Sequence, residues 1–291
     1  MRLGGTRRLR SALAGLLRLQ GIRGRRLERG PLRIRYWEGG SGSPLIFLHG
    51  LGASALWQWH PQLRHFARNH RVLAPDLLFF GDSVGESTSP DLDQQVDAIL
   101  EWMDACGIPC ADWVGLSYGG FVAARLAERA PERVRGLVLV ASPIQCMRDA
   151  DVEGMRQRLQ VKALRDVFLP AEPAGVRRLI DLAWTRPPWV PECALEDAWR
   201  TLFQDHVHEK EHLLTDLLGR VGEPMNLPGQ ILSRTALVWG EEDVVFPREL
   251  AQRCQKALGD VPLHWMKASA HAPQLERPME FNRLVERSLK T

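Results

Sequence analysis

Cysteine is scarce in this sequence, and the few cysteines follow no regular pattern. The chain of 291 residues holds five of them, an odd number at irregular spacing. This usage fits reduced thiols, as in a cytoplasmic protein, better than a disulfide framework. Cys106 and Cys110, in CGIPC, are spaced neither as a zinc knuckle nor as a C-x-x-C redox motif. The histidines of DHVHEKEHL lie among charged residues and predict a solvated helix rather than a metal site: His206, His208 and His212.

The sequence also lacks a membrane-spanning apolar run at its start and an even spread of positive charge. Arg18 cuts the apolar stretch SALAGLL to less than the length of a membrane span. Residues 1–30 hold nine arginines and one glutamate, a net charge of +8. Because the whole chain has a net charge of +3, the rest of the chain carries −5. A basic tail on an acidic body argues against nucleic-acid binding, which needs lysine and arginine over a whole groove or face.

Residues 1–30 are predicted to be a basic amphipathic segment, and three interpretations of it stay open. Its leucines recur at helical spacing and form one apolar stripe: Leu9, Leu13, Leu16 and Leu17. A helix lying on an anionic membrane surface, a transit peptide and a helix docked on the body all fit this pattern. We therefore expect a cytoplasmic protein, with contact to a membrane surface through residues 1–30 as an alternative. The oligomeric state is left open.

Short apolar runs alternate with helical patterns from residue 32 onward. PLIFLHG and VRGLVLVAS predict strands, and DLDQQVDAILEWMDACG predicts a helix between strands. This alternation predicts an α/β fold with a mainly parallel central sheet flanked by helices. It fails between residues 144 and 230, where helical pieces and proline-rich joints predict a helical cap inserted between two strands. The predicted core then comprises residues 31–143 and 231–291.

Ser117 lies in VGLSYGG, between an apolar run and a helical pattern. A sharp turn from strand to helix would present its hydroxyl at the end of the sheet, as a nucleophile requires. A base and an orienting acid should then follow later strands at the same edge. Asp243 follows the run TALVWG and His271 follows VPLHWMK. Two other acids, Glu241 and Glu242, compete with Asp243 for the orienting role.

Acyl chemistry at a serine also requires two N–H donors for the oxyanion of the tetrahedral intermediate. The residue after the nucleophile, Tyr118, supplies one amide. The stretch LIFLHGLGAS breaks an apolar strand at a glycine, where the amide of Leu51 can point inward. Leu51 and Tyr118 are therefore the predicted oxyanion hole.

Five stretches resemble motifs of the α/β-hydrolase fold family in their order and at the predicted strand ends: HGLG, PDLLFFGDS, GLSYGG, WGEEDVVFP and AHAPQLERP. Together they resemble its capped serine esterase, lipase and meta-cleavage-product hydrolase branch over residues 32–290. The resemblance implies a nucleophilic Ser117, with His271 as general base and then acid and Asp243 as its orienting acid. It implies no cofactor and no metal.

Departures from the family pattern bear on the substrate pocket. Phe80 stands where a glycine is usual, which suggests an apolar pocket wall. Trp184 and Trp189 lie in the predicted cap, where they either pack or face the substrate. Ala270 precedes the predicted histidine where a glycine is common.

The residue types narrow the chemistry that the resemblance implies. Haloalkane dehalogenases and epoxide hydrolases of this fold attack with aspartate, and the latter also use cap tyrosines. This chain has serine at that place, and its two tyrosines, Tyr36 and Tyr118, lie outside the cap. Meta-cleavage-product hydrolases usually carry tryptophan directly after the histidine, where this chain has Ala272. Hydrolysis of a small-molecule ester or lipid is favoured, with carbon–carbon bond hydrolysis or a ligand receptor that keeps the fold as alternatives.

Overall fold

The computed structural model describes residues 5–144 and 146–290, which form one eight-stranded sheet with helices around it. The sheet order is β1-β2-β4-β3-β5-β6-β7-β8. The first two strands pair antiparallel, β2 pairs antiparallel with β4, and all other pairs are parallel. The strands are β1 Arg23–Arg29, β2 Leu32–Gly39, β3 Pro44–Leu48, β4 Arg71–Pro75, β5 Ala111–Leu116, β6 Val134–Val140, β7 Thr235–Gly240 and β8 Leu263–Met266.

Helices connect the parallel strands and cover the sheet. They are α1 Gly5–Leu19, α2 Ala55–Phe66, α3 Leu92–Ala105, α4 Tyr118–Arg129, α5 Asp149–Arg158, α6 Arg165–Phe168, α7 Pro173–Ala183, α8 Glu192–Leu202, α9 Val207–Gly219, α10 Gly229–Leu232, α11 Arg248–Ala257, α12 Pro273–Glu276 and α13 Pro278–Ser288. Every residue of β5 and β7 is buried, as expected of parallel strands with helices on both faces. The predicted α/β architecture is confirmed.

The N-terminal segment differs from its prediction as one amphipathic unit over residues 1–30. Only α1 is helical, and residues 23–29 form β1, paired along its whole length with β2. This strand lies at the edge of the sheet, so its arginines stay exposed or pair with acids. Arg25 bonds Glu38 at 2.7 Å, for example. Among the described residues, no helix combines the length and the apolar composition needed to cross a bilayer.

The segment between β6 and β7 consists of helices and loops. Helices α5 to α10 occupy it, and its described residues, all but Gln145, include no strand. Helices α7 and α8 pack together around a small apolar cluster of Val176, Leu195 and Phe203. We call residues 144–230 the helical insertion. It is stabilised by this cluster and by contacts with the main core.

Candidate active site

Ser117 occupies the turn between β5 and α4 in a strained backbone conformation. Its φ of 50° and ψ of −118° lie in a region that residues with a side chain rarely adopt. Two hydrogen bonds hold the turn: the Ser117 amide donates to the carbonyl of Val140 at 2.8 Å, and the hydroxyl of Ser142 donates to the Ser117 carbonyl at 2.8 Å. The sequence of β5 therefore ends in a turn that projects one serine from the sheet edge.

Glycine is required next to this serine because the backbone passes very close to β3. A Cβ on Gly119 would lie 2.4 Å from the carbonyl oxygen of Leu48 and 2.5 Å from that of His49. Both atoms belong to the backbone, so a side chain could fit only if one of the two segments moved. This close approach places the turn at Ser117 beside the loop that follows β3.

His271 and Asp243 are brought together at the ends of β8 and β7. The His271 Nδ1–H donates to Oδ2 of Asp243 at 2.9 Å, and the Asp243 side chain is 1% exposed. The other oxygen of Asp243 accepts the amides of Val245 and Phe246 at 2.8 and 3.0 Å. A carboxylate held in this way fixes the proton on Nδ1 and leaves Nε2 of His271 as an acceptor.

The competing acids lie elsewhere. Glu241 is near Arg248, at 3.7 Å, and Glu242 is exposed. Asp243 is therefore the acid of this triplet that contacts His271.

Glu276 holds the loop that carries His271, and sequence reasoning missed it. Its Oε1 accepts the Ala270 amide at 2.6 Å and the Ser269 hydroxyl at 3.1 Å. Its Oε2 accepts both the amide and the hydroxyl of Thr185, each at 2.7 Å. Because Thr185 belongs to the helical insertion, one carboxylate joins the histidine loop to the insertion. The glutamate is visible in AHAPQLERP, but nothing in the sequence indicates these distant partners.

The predicted oxyanion amides, those of Leu51 and Tyr118, have no protein acceptor within the described part of the chain. The amide before them, on Gly50, is satisfied by Oε1 of Gln58 at 2.7 Å. The Gly50 carbonyl accepts Nδ1–H of His49 at 2.9 Å. These bonds fix the loop after β3 and leave two amides available beside Ser117.

Two buried ionisable side chains, those of His49 and Asp76, form hydrogen bonds that hold the ends of the same loop. Nε2 of His49 accepts the amide of Leu77 at 2.9 Å, and burial lowers the pKa of His49 to about 4, so its ring is neutral. Asp76 accepts the amide of Ala55, at the start of α2, at 2.7 Å. Burial raises the pKa of Asp76 to about 7, despite the opposing effect of that hydrogen bond. Neither residue was assigned a role from the sequence.

A cavity of about 570 Å³ opens above Ser117 and His271. Apolar side chains from α1, α2, α7 and α8 form most of its wall. The other polar side chains are the two indoles of Trp57 and Trp184, together with Gln58 and His60, and burial lowers the pKa of His60. Among the residues whose side chains the structure describes, no aspartate, glutamate, lysine or arginine lines the cavity. It fits an uncharged apolar molecule.

The three pocket residues predicted from the sequence lie in different positions relative to the cavity. Trp184 lines the cavity. Trp189 is 85% exposed and does not line it. Phe80 is 1% exposed, and its ring packs edge-on against that of His49, at 5.3 Å between centroids, behind the loop after β3. The interpretation of Phe80 as a pocket wall is wrong, because Phe80 is buried against His49 and is not among the residues that line the cavity.

The described residues include no group of three or more histidine, cysteine, aspartate or glutamate side chains arranged to hold a metal ion. His206, the first histidine of DHVHEKEHL, instead packs its ring near Phe79 at 5.6 Å.

The chain is similar to several known proteins. The sequence is 29% identical to the dihydrolipoyllysine-residue acetyltransferase component of an acetoin cleaving system of Cupriavidus necator, over 89% of this chain and 67% of that protein. It is also 29% identical to a 2-hydroxymuconate semialdehyde hydrolase of a Pseudomonas species, over 90% and 92% of the two chains. The crystal structure of a membrane phospholipase A superposes with a TM-score of 0.80 at 24% identity, over 98% and 90%. The family pattern for the alpha/beta hydrolase fold matches residues 43–278. This chain belongs to the α/β-hydrolase fold family, as a hydrolase of that fold.

Proposed function

We propose that the protein is a serine hydrolase that cleaves uncharged carboxylic esters with an apolar acyl group. The observation that carries the proposal is the cavity: it joins Ser117 and His271 to an apolar wall, and its described lining residues include no charged aspartate, glutamate, lysine or arginine side chain. An ester is neutral and gains from transfer into such a site, by about 25 cal/mol for each Å² of apolar surface buried. The amides of Leu51 and Tyr118 then orient the ester carbonyl relative to Ser117.

The reaction proceeds through an acyl-enzyme. Oγ of Ser117 bonds to the ester carbonyl carbon while Nε2 of His271 takes the hydroxyl proton. The carbonyl electron pair moves to oxygen, where the amides of Leu51 and Tyr118 stabilise the charge. When the pair returns, the bond to the alkoxy group breaks, and that group takes the proton from His271. Water repeats these steps on the acyl-enzyme, which releases the acid and restores Ser117.

Carbon–carbon bond hydrolysis is the second candidate, because a relative at 29% identity is a 2-hydroxymuconate semialdehyde hydrolase. That name denotes a carboxylate substrate. An unpaired carboxylate buried in an apolar cavity costs several kcal/mol unless a cation or several hydrogen bonds compensate. The arginines of α7 are engaged elsewhere: Arg177 pairs with Asp181 at 2.9 Å, and Arg178 donates to the carbonyl of Leu159. The cavity therefore favours the ester.

The test compares both substrate classes on one preparation. The rates of hydrolysis of uncharged nitrophenyl esters, from acetyl to long acyl, are compared with that of 2-hydroxymuconate semialdehyde. We expect kcat/KM to rise with acyl length and to exceed that for the carboxylate substrate. Ser117→Ala should lower ester turnover by about 10⁴-fold or more and abolish labelling by a fluorophosphonate. Ser41→Ala, at an exposed serine, is the matched control.

Three results would contradict the proposal. Faster cleavage of the carboxylate substrate would favour carbon–carbon hydrolysis. Labelling of Ser117→Ala would place the nucleophile elsewhere. A single turnover followed by a stable acyl-enzyme, for every ester tried, would favour a ligand receptor that keeps the fold.

A further inference from the structure

Helix α1 carries apolar side chains on two adjacent sides, and the body covers only one of them. Leu13 and Leu17 pack against the core. Leu9, Leu16 and Leu19 are 52%, 45% and 85% exposed. At 3.6 residues per turn these three positions fall on one side of the helix, next to the covered side. We call them the exposed leucine flank.

Leu9, one residue of the exposed leucine flank, borders the mouth of the active-site cavity. Leu9 and Pro188 both line the cavity and are both exposed, so the cavity meets solvent between α1 and the loop from α7 to α8. Trp189, next to Pro188, is 85% exposed. Among the described residues, four of the six exposed large apolar side chains are thus the exposed leucine flank and Trp189. Leu9 lies at this opening, and Leu16 and Leu19 continue the same side of α1, which distinguishes them from isolated exposed side chains.

Positive charge accompanies this apolar rim. Helix α1 has four arginines and no acidic residue: Arg7, Arg8, Arg10 and Arg18. Arg10 pairs with Asp82 at 2.8 Å, whereas Arg18 is exposed. A helix with arginines on one side and leucines on the other lies in the interface of a membrane, and tryptophan is enriched at the same depth. Attraction between arginines and an anionic leaflet complements the insertion of apolar side chains.

We propose that the exposed leucine flank and Trp189 form a docking surface for a bilayer containing anionic phospholipids, with the cavity mouth facing the bilayer. The flank and the indole enter the boundary between headgroups and acyl chains, and the exposed Arg18 contacts lipid phosphates. This inference rests on the proposed function in one respect: a bilayer-borne ester passes Leu9 and Pro188 into the cavity without crossing water. Docking itself requires no catalysis.

Vesicle co-sedimentation of the full chain tests the docking surface. Vesicles of phosphatidylcholine alone are compared with vesicles that also contain phosphatidylglycerol, at low and high salt. We expect binding to the anionic vesicles, weaker binding to the neutral ones, and loss with rising salt because charges are screened. The double variant Leu16→Gln/Leu19→Gln should lower partitioning by about tenfold or more, since both leucines lose their apolar contact with lipid. Hydrolysis of a short water-soluble ester should stay unchanged.

Met279→Gln is the matched control, because Met279 is 75% exposed on α13 and lies outside the docking surface. It should bind vesicles as the unmodified chain does. Equal binding by the double variant, or equal binding to neutral and anionic vesicles, would overturn the proposal. So would an unmodified chain that binds no vesicle but forms a dimer that the double variant loses, since the flank would then contact a second copy. Vesicle binding without hydrolysis of any ester would keep the docking surface and refute the proposed ester hydrolysis.

Discussion

Replacing Asp243 with asparagine should reverse the tautomer of His271 while preserving the shape of the site. In the native site one oxygen of Asp243 accepts the amides of Val245 and Phe246, and the other accepts Nδ1–H of His271 at 2.9 Å. Asparagine can accept those two amides only through its oxygen, so its NH₂ must face His271. Because this NH₂ donates, Nδ1 must accept and the ring proton must move to Nε2. A protonated Nε2 cannot take the proton of Ser117.

The expected loss in kcat/KM is about 10⁴-fold, equivalent to about 5.5 kcal/mol of transition-state stabilisation. Steady-state hydrolysis of a nitrophenyl ester measures it, and the rate of fluorophosphonate labelling should fall in parallel. The thermal unfolding midpoint should change little, because the substitution is nearly isosteric and keeps the two amide bonds. Glu242→Gln changes the exposed neighbouring acid and should leave the rate unchanged. A loss of less than tenfold for Asp243→Asn, or an equal loss for Glu242→Gln, would refute this account of the histidine.

Three further predictions follow from other parts of the structure. Gly119→Ala should destabilise the fold by about 1–3 kcal/mol in chemical denaturation, because its Cβ would meet backbone at 2.4 Å, whereas Gly219→Ala, with open space around it, should not. Asp76→Asn should gain stability relative to the unmodified chain as pH rises from about 4 to about 7. Burial raises the pKa of Asp76 from its ordinary value of 3.8 to about 7. The contribution of Asp76 to the free energy of unfolding is therefore most favourable below pH 3.8 and is lost as the pH rises to about 7, a change on the order of 4 kcal/mol. A difference between the two unfolding curves that stays flat over this window would contradict it. Trp184→Ala enlarges the cavity and should shift the best acyl length upward; an unchanged preference across the ester series would show that Trp184 does not limit the bound chain.

The central sheet could be predicted because its strands are buried on both faces and appear as apolar runs between helical patterns. Strand β1 could not be predicted in this way. Its sequence, RGRRLER, is dominated by arginine, since it lies at an edge where side chains reach water or acids. It becomes a strand only through pairing with β2, and a strongly charged edge strand resembles a solvated tail when local pattern alone is considered. The boundary placed at residue 30 therefore divides two paired strands.

The contact between His271 and Asp243 also agrees with the sequence interpretation, because the carboxyl ends of neighbouring parallel strands meet at one edge. The residues that hold the site were not predicted. His49 and Gln58 bond backbone groups of the loop after β3, and the sequence does not indicate which backbone group a side chain will meet. Phe80 and Trp189 were misjudged for a related reason: whether an aromatic residue lines a cavity depends on where a loop passes, and hydrophobicity alone does not determine that path.

The structure links the chemistry of this site to the shape of its cavity. The carboxylate of Glu276 binds the amide of Ala270 on one side and Thr185 of the helical insertion on the other. The amide of Ala272 donates to the carbonyl of Ala183, at the end of α7, at 3.0 Å. The loop that carries His271 is therefore fixed partly by the insertion that forms the cavity wall. A change in the insertion that selects a new substrate can displace the histidine as well, unless it preserves these contacts. Substitutions on the apolar faces of α7 and α8, away from residues 183–185, leave these contacts in place.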